Sequence, residues 1–168
     1  MPKLTRRDFL LTAVAAGTLA ASPAFAQFAQ RTPFPQGFSS FAVDVGPLKQ
    51  KGLGGFADLV AAAMQQELRR QFADRVDSRG PRLVVQVNQI SMTPFPDGGG
   101  GDDWWGGRGG GSDSINGIAY AIGRRGEILA QHPQLAVLDV RRSILDPDEQ
   151  GRAVRIAQHY AQWLRREI

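Results

Sequence analysis

Four carboxylates fall within one short stretch of a 168-residue chain. Asp97, Asp102, Asp103 and Asp113 punctuate PFPDGGGGDDWWGGRGGGSDS, residues 94–114, where nine glycines lie between Gly98 and Gly111. Carboxylates on glycine turns offer oxygen ligands to a hard cation such as calcium, and glycine lets backbone carbonyls approach the same ion. Arg108 opposes that charge. Trp104 and Trp105 offer something different: large apolar groups on a glycine-rich tether, whose reach from Pro96 is about 15–17 Å. With Arg108 they are the candidate partner-binding residues. The surface they meet is either a partner's or the domain's own.

The remaining reactive groups are dispersed. Ser91, Ser112, Ser114 and Ser143 supply hydroxyls, but no G-x-S-x-G elbow or S-x-x-K motif frames them. His132 precedes Pro133 in a connection and His159 falls on the polar side of a helix, so both read as solvated. A nucleophile, a base and an orienting group are not brought together. The chain has no cysteine, which removes disulfides, thiolate nucleophiles and thiolate metal sites. The expectation is a non-enzyme with no catalytic residue, no cofactor and no dedicated metal centre. The alternative is a small-ligand or calcium-binding module built on the Gly/Asp/Trp loop. Asp44, Asn88, Gln89, Asn116 and Tyr120 would line a pocket between sheet and loop, or are ordinary strand polarity. Residues 98–105 resemble one copy of the calcium-binding nonapeptide of β-roll proteins, an architecture in which stacked copies complete each site.

Around these residues the pattern predicts a strand, a helix, a strand, a long loop, two or three strands and a final helix. FAVDV, residues 41–45, alternates and runs into Gly46-Pro47, a strand ending in a turn. Phe56, Val60, Ala63, Met64, Leu68, Phe72 and Val76 recur at helical spacing, with Gln65, Glu67, Arg69 and Arg70 outside the stripe. In PRLVVQVNQISM, Leu83, Val85 and Val87 share one phase while Ile90 and Met92 fall on the other. Either a bulge intervenes near Asn88 and Gln89 or both faces are covered. SINGIAYAIGRRGEILAQ reads as a hairpin turning at Gly123 to Gly126. LAVLDV, residues 135–140, is a further strand set off by His132-Pro133.

For the last helix, Asp146 is the expected N-cap, with Pro147 at the first position and Glu149 completing a capping-box-like arrangement. Val154, Ile156, Ala157, Tyr160, Trp163 and Leu164 form its apolar side. Arg152, Arg155, Gln158, Gln162, Arg165 and Arg166 face water. The fold class is α/β (α+β): a two-layer sandwich with one mixed sheet of four to five strands and two long helices on one face. The first two strands are parallel and the later ones antiparallel.

The N-terminus bears on location. Arg6 and Arg7 precede Phe9, Leu10 and an uncharged apolar run to Ala21, and Ala24 and Ala26 stand where a signal peptidase reads small residues. The run is shorter than the ~20 residues that span a bilayer. The paired arginines resemble the twin-arginine (Tat) export signal of bacteria, a receptor-read address. The pattern of the remaining chain reads as an extended arm over 27–40 and a single domain over 41–168 with its glycine-rich loop at 97–113, and the twin-arginine resemblance implies a cleaved signal over residues 1–26. It also implies a periplasmic location without stable membrane insertion. The chain's net charge is +4, but without the signal 17 basic residues stand against 15 acidic ones, well interspersed, so a nucleic-acid partner is not expected.

The order of these elements is similar to that of small bacterial envelope domains: the N-terminal domain of TolB, the LpoB-type lipoproteins and the CsgG-like domains. The likeness runs through FAVDVGPLKQKGLGGFADLVAAAMQQELRRQF, LVVQVNQISMTPFPDGG and GIAYAIGRRGEILAQ. It implies an accessory or protein-interaction role with envelope partners.

Overall fold

The helix-facing side of the sheet is mostly apolar, and it meets two helices. The computed structural model describes residues 33–93, 111–140 and 148–168. The elements are β1 (Ser40–Asp44), α1 (Gly46–Gln50), α2 (Gly54–Gln71), β2 (Arg82–Ser91), β3 (Gly111–Ile122), β4 (Ile128–Val140) and α3 (Glu149–Glu167). The sheet order is β1-β2-β3-β4. β1 and β2 are parallel, and the two later pairings are antiparallel. The fold is the α+β two-layer sandwich expected, with four strands. Among the described residues no helix is long and apolar enough to cross a membrane.

The core lies between the sheet and the pair α2 and α3. Leu83, Val85 and Val87 of β2 and Ile115 and Ala119 of β3 meet Val60, Met64 and Leu68 of α2 and Ile156, Tyr160 and Leu164 of α3, all fully buried. The phase conflict in β2 is resolved by a bulge: Val87 pairs with Gly117, Gln89 with Asn116 and Ile90 with Ile115. The extra residue, Asn88, returns Ile90 and Met92 to the helix side, where both pack on the core. At Gly117 a Cβ would stand 2.6 Å from Gln86 O and 2.9 Å from the Tyr160 hydroxyl, so a bare backbone is what lets the phenol lie against β3.

Several boundaries differ from expectation. Gly46-Pro47 opens α1 rather than a plain turn, because proline suits the first helical turn and Leu48 is drawn into the core. β4 runs unbroken through Pro133, since an edge strand turns half its N–H groups away from its sole neighbour. α3 is capped by Asp148, whose carboxylate accepts from Gly151 N at 2.7 Å; Glu149 is the first helical residue, and the position three after the cap is glycine. Gly111 to Asp113, read as the end of the loop, are strand residues of β3.

Packing also begins before Phe41. Phe38 is fully buried and stacks edge-on against Phe72 at 5.8 Å, with Phe34 at 6.0 Å from Phe38 and Phe41 at 5.9 Å from Phe72. Arg75 and Arg165 cover the Phe72 ring at 5.8 and 5.5 Å.

Candidate functional site

The strands on either side of residues 94–110 are locked together at their ends. Thr93 Oγ1 donates to Ser112 O at 2.8 Å and accepts from Ser112 N at 3.0 Å. Thr93 N donates to Asp113 Oδ1 at 3.2 Å. A Cβ on Gly111 would stand 2.7 Å from the Thr93 side chain, so glycine is what this closeness requires. The two ends are therefore a closed neck.

α3 grips that neck. Arg152 Nε donates to Asp113 Oδ2 at 2.9 Å, and Nη2 donates to Asp113 Oδ1 and, at 2.8 Å, to Thr93 O. Both members of the pair are buried, Arg152 at 5% exposure and Asp113 at 0%. The fork geometry satisfies both carboxylate oxygens at once, and the hydrogen bond to Asp113 raises the Arg152 guanidinium above its ordinary pKa. Capping by Asp148 starts α3 where Arg152 falls in the first turn, directed at the sheet. Arg152, read from the sequence as water-facing, is thus the inner anchor. The helical stripe gave no sign of it, because its partner lies 39 residues away.

α2 buries a charge as well. Glu67, also read as water-facing, is 4% exposed. It accepts from Arg70 Nε at 2.8 Å, Gln71 Nε2 at 2.8 Å and Gln162 Nε2 at 3.0 Å, the last from α3. The Arg70 hydrogen bond, against the opposing effect of burial, holds its carboxyl down at about 2. Tyr160 and Gln134 lie between α3 and the sheet. Gln134 Nε2 donates to Tyr160 O at 3.0 Å, and burial pushes the Tyr160 phenol well above its usual pKa.

Those sequence-chosen residues that the structure describes are dispersed by the fold. Trp104, Trp105 and Arg108 lie outside the described residues, as do Asp97, Asp102, Asp103, Ser143, Asp146, Pro147 and the signal residues Arg6, Arg7, Phe9, Leu10, Ala24 and Ala26. Of the four candidate calcium ligands, Asp113 is engaged by Arg152 and Thr93. Among the described residues no three His, Asp or Glu side chains gather as a metal site. Asp44 accepts from Gly46 N at 2.8 Å and from Gln86 Nε2 at 3.0 Å, holding α1 to the sheet. Asn88 offers its carbonyl to Lys51 Nζ at 2.9 Å. Gln89 and Asn116 are exposed and paired across β2 and β3. A cleft of about 420 Å³ lies at the other end of the central hairpin, bounded by Ser39, Gly80, Arg82, Ile122, Gly123 and Arg124. Trp163, expected inside, is 41% exposed, with His159 at 6.0 Å and Arg166 over its ring at 5.8 Å.

No family model matches the chain. No curated protein matches it either. Among solved structures it is similar to a minor lipoprotein from Acinetobacter baumannii, at TM-score 0.43 and 9% identity, over 79% of this chain and 89% of that one. It is also similar to a chain from Caulobacter crescentus provisionally described as a lipoprotein, at TM-score 0.40 and 14% identity, over 77% of this chain and 84% of that one. Likenesses at these levels assign no function.

Proposed function

We propose that the chain is a non-catalytic accessory domain of the bacterial cell envelope, acting by protein contact through Trp104, Trp105 and Arg108. In this reading the signal over residues 1–26 directs twin-arginine export, and cleavage after Ala26 releases the remainder into the periplasm. The observation that supports it is the neck: Arg152, Asp113 and Thr93 fix the point at which the tryptophan-bearing segment leaves the sheet. A buried ion pair contributes little net stability but restricts geometry when, as here, both carboxylate oxygens are engaged by one guanidinium. Spent at the root of a glycine-rich segment, that restriction gives two apolar side chains a defined origin.

The deciding experiment is crosslinking in intact cells with the wild type and with Trp104→Ala/Trp105→Ala. Loss of specific crosslinked partners from the double variant is expected; an unchanged partner list would defeat the assignment of these tryptophans. Export is tested separately by Arg6→Lys/Arg7→Lys, which should leave precursor in the cytoplasm, and normal export of that variant would refute the twin-arginine reading. Asp113 is engaged by Arg152; in the protein-contact reading thermal midpoints with calcium and with chelator should coincide, and a rise with calcium would favour the calcium-binding alternative.

A further inference from the structure

Among the described residues β4 is the longest strand, at 13 residues, and it forms one edge of the sheet. An edge strand presents unpaired N–H and C=O groups, and proteins commonly blunt such an edge with lysine, shortness or a covering element. The opposite edge is short: β1 has five residues. β4 contains no lysine or arginine, and its one carboxylate is Asp139. Of the six exposed large hydrophobic residues among those described, Ile128, Leu129, Leu135 and Val137 belong to it.

The direction of its free groups follows from Pro133. Opposite Ile118, this residue has no N–H to give to β3, so its nitrogen faces outward. The pairing of β3 and β4 is regular from Ala130 to Val140, and backbone direction repeats every second residue. Leu135, Val137 and Asp139 therefore turn their N–H and C=O groups to the open edge, and all three are exposed.

We propose that β4 pairs antiparallel with β4 of a second copy of this chain, about a two-fold axis at Val137, joining two sheets into one of eight strands. This register sets Val137 against itself and Leu135 against Asp139 of the second copy. It leaves Pro133 beyond the ladder and closes about six hydrogen bonds between the copies. The charge pattern suits a second copy. The segment is nearly neutral, and the two Asp139 carboxylates are kept apart, so no like charges oppose each other. The contact is small, near the lower end of the ~1,000 Å² that specific interfaces need, so the dimer is a concentration-dependent one.

Sedimentation velocity of the purified protein from about 1 to 200 µM tests this by mass action. Conversion from monomer to dimer is expected over that range, and a monomer at every concentration overturns the proposal, as it would if an unrelated protein's strand were the true occupant. Val137→Lys and Val137→Glu each place like charges across the axis, and each should be monomeric. An equal mixture of the two should dimerise again. Persistence of dimer in either variant alone, or failure of the mixture to restore it, overturns the register. Because Val137 is 48% exposed, both variants should keep the wild-type circular dichroism spectrum. Trp163→Ala, an exposed apolar residue on α3, should leave dimerisation unchanged.

Discussion

α2 and α3 each bury one charged side chain, and they neutralise it in different ways. Glu67 is held from within its own helix by Arg70, three residues on, and the Arg70 side chain remains 65% exposed. Arg152 is held from another layer by Asp113, with side-chain exposures of 5% and 1%. In the first case one partner keeps its hydration and the network can readjust. In the second both ions have left water, so each depends chiefly on the other, with Thr93 the further partner of both. A local pair tolerates damage, whereas a buried pair between layers transmits it to the fold.

Asp113→Ala should break the comparison hardest. It strands a buried guanidinium and is expected to cost about 3–5 kcal/mol in urea denaturation. Asp113→Leu combined with Arg152→Met should recover most of that loss, because two apolar groups replace two ions; if the double variant is no more stable than the single, the cost lies elsewhere. Arg152→Lys retains the charge but loses the two-pronged contact and should cost about 1–3 kcal/mol in the same assay.

Glu67→Gln should cost less, about 1–2 kcal/mol, since Gln71 and Gln162 can still bond an amide oxygen. The pH dependence of that variant sharpens the contrast. The Glu67 carboxyl is lowered from 4.5 to about 2 in the folded state. The stability it contributes is therefore complete above about pH 4.5 and is lost as pH falls toward 2. Denaturation of the wild type and Glu67→Gln at successive pH values should show their difference closing over that window. The smallest effect belongs to Trp163→Ala: with the side chain on the surface, the change should stay within about 0.5 kcal/mol.

Much of the fold was legible because periodicity records burial. Val60, Met64, Leu68 and Phe72 mark α2, Leu83, Val85 and Val87 mark β2, and the phase break before Ile90 left the bulge as one of two readings. What escaped was decided by partners distant in sequence. Glu67 and Arg152 look like ordinary water-facing positions until Gln162 and Asp113 are brought to them, across 95 and 39 residues. Trp163 shows the converse error: hydrophobicity placed it inside, but its position on α3 turns it outward beside His159 and Arg166. Of the candidate site, the tryptophans were legible as chemistry and the neck was not. Thr93 and Asp113 flank a glycine run in which every aspartate looked alike.

Arg75 has a consequence for how the chain can be re-ordered. Its carbonyl accepts from Phe38 N at 2.8 Å, and its Nη1 donates to the Ile168 carbonyl at 2.6 Å. Residues from the two ends of the packed unit are thus joined to the same arginine. A circular permutant that links Ile168 to Pro33 through a short spacer, and opens between Arg124 and Arg125 in the exposed β3–β4 turn, should preserve both layers.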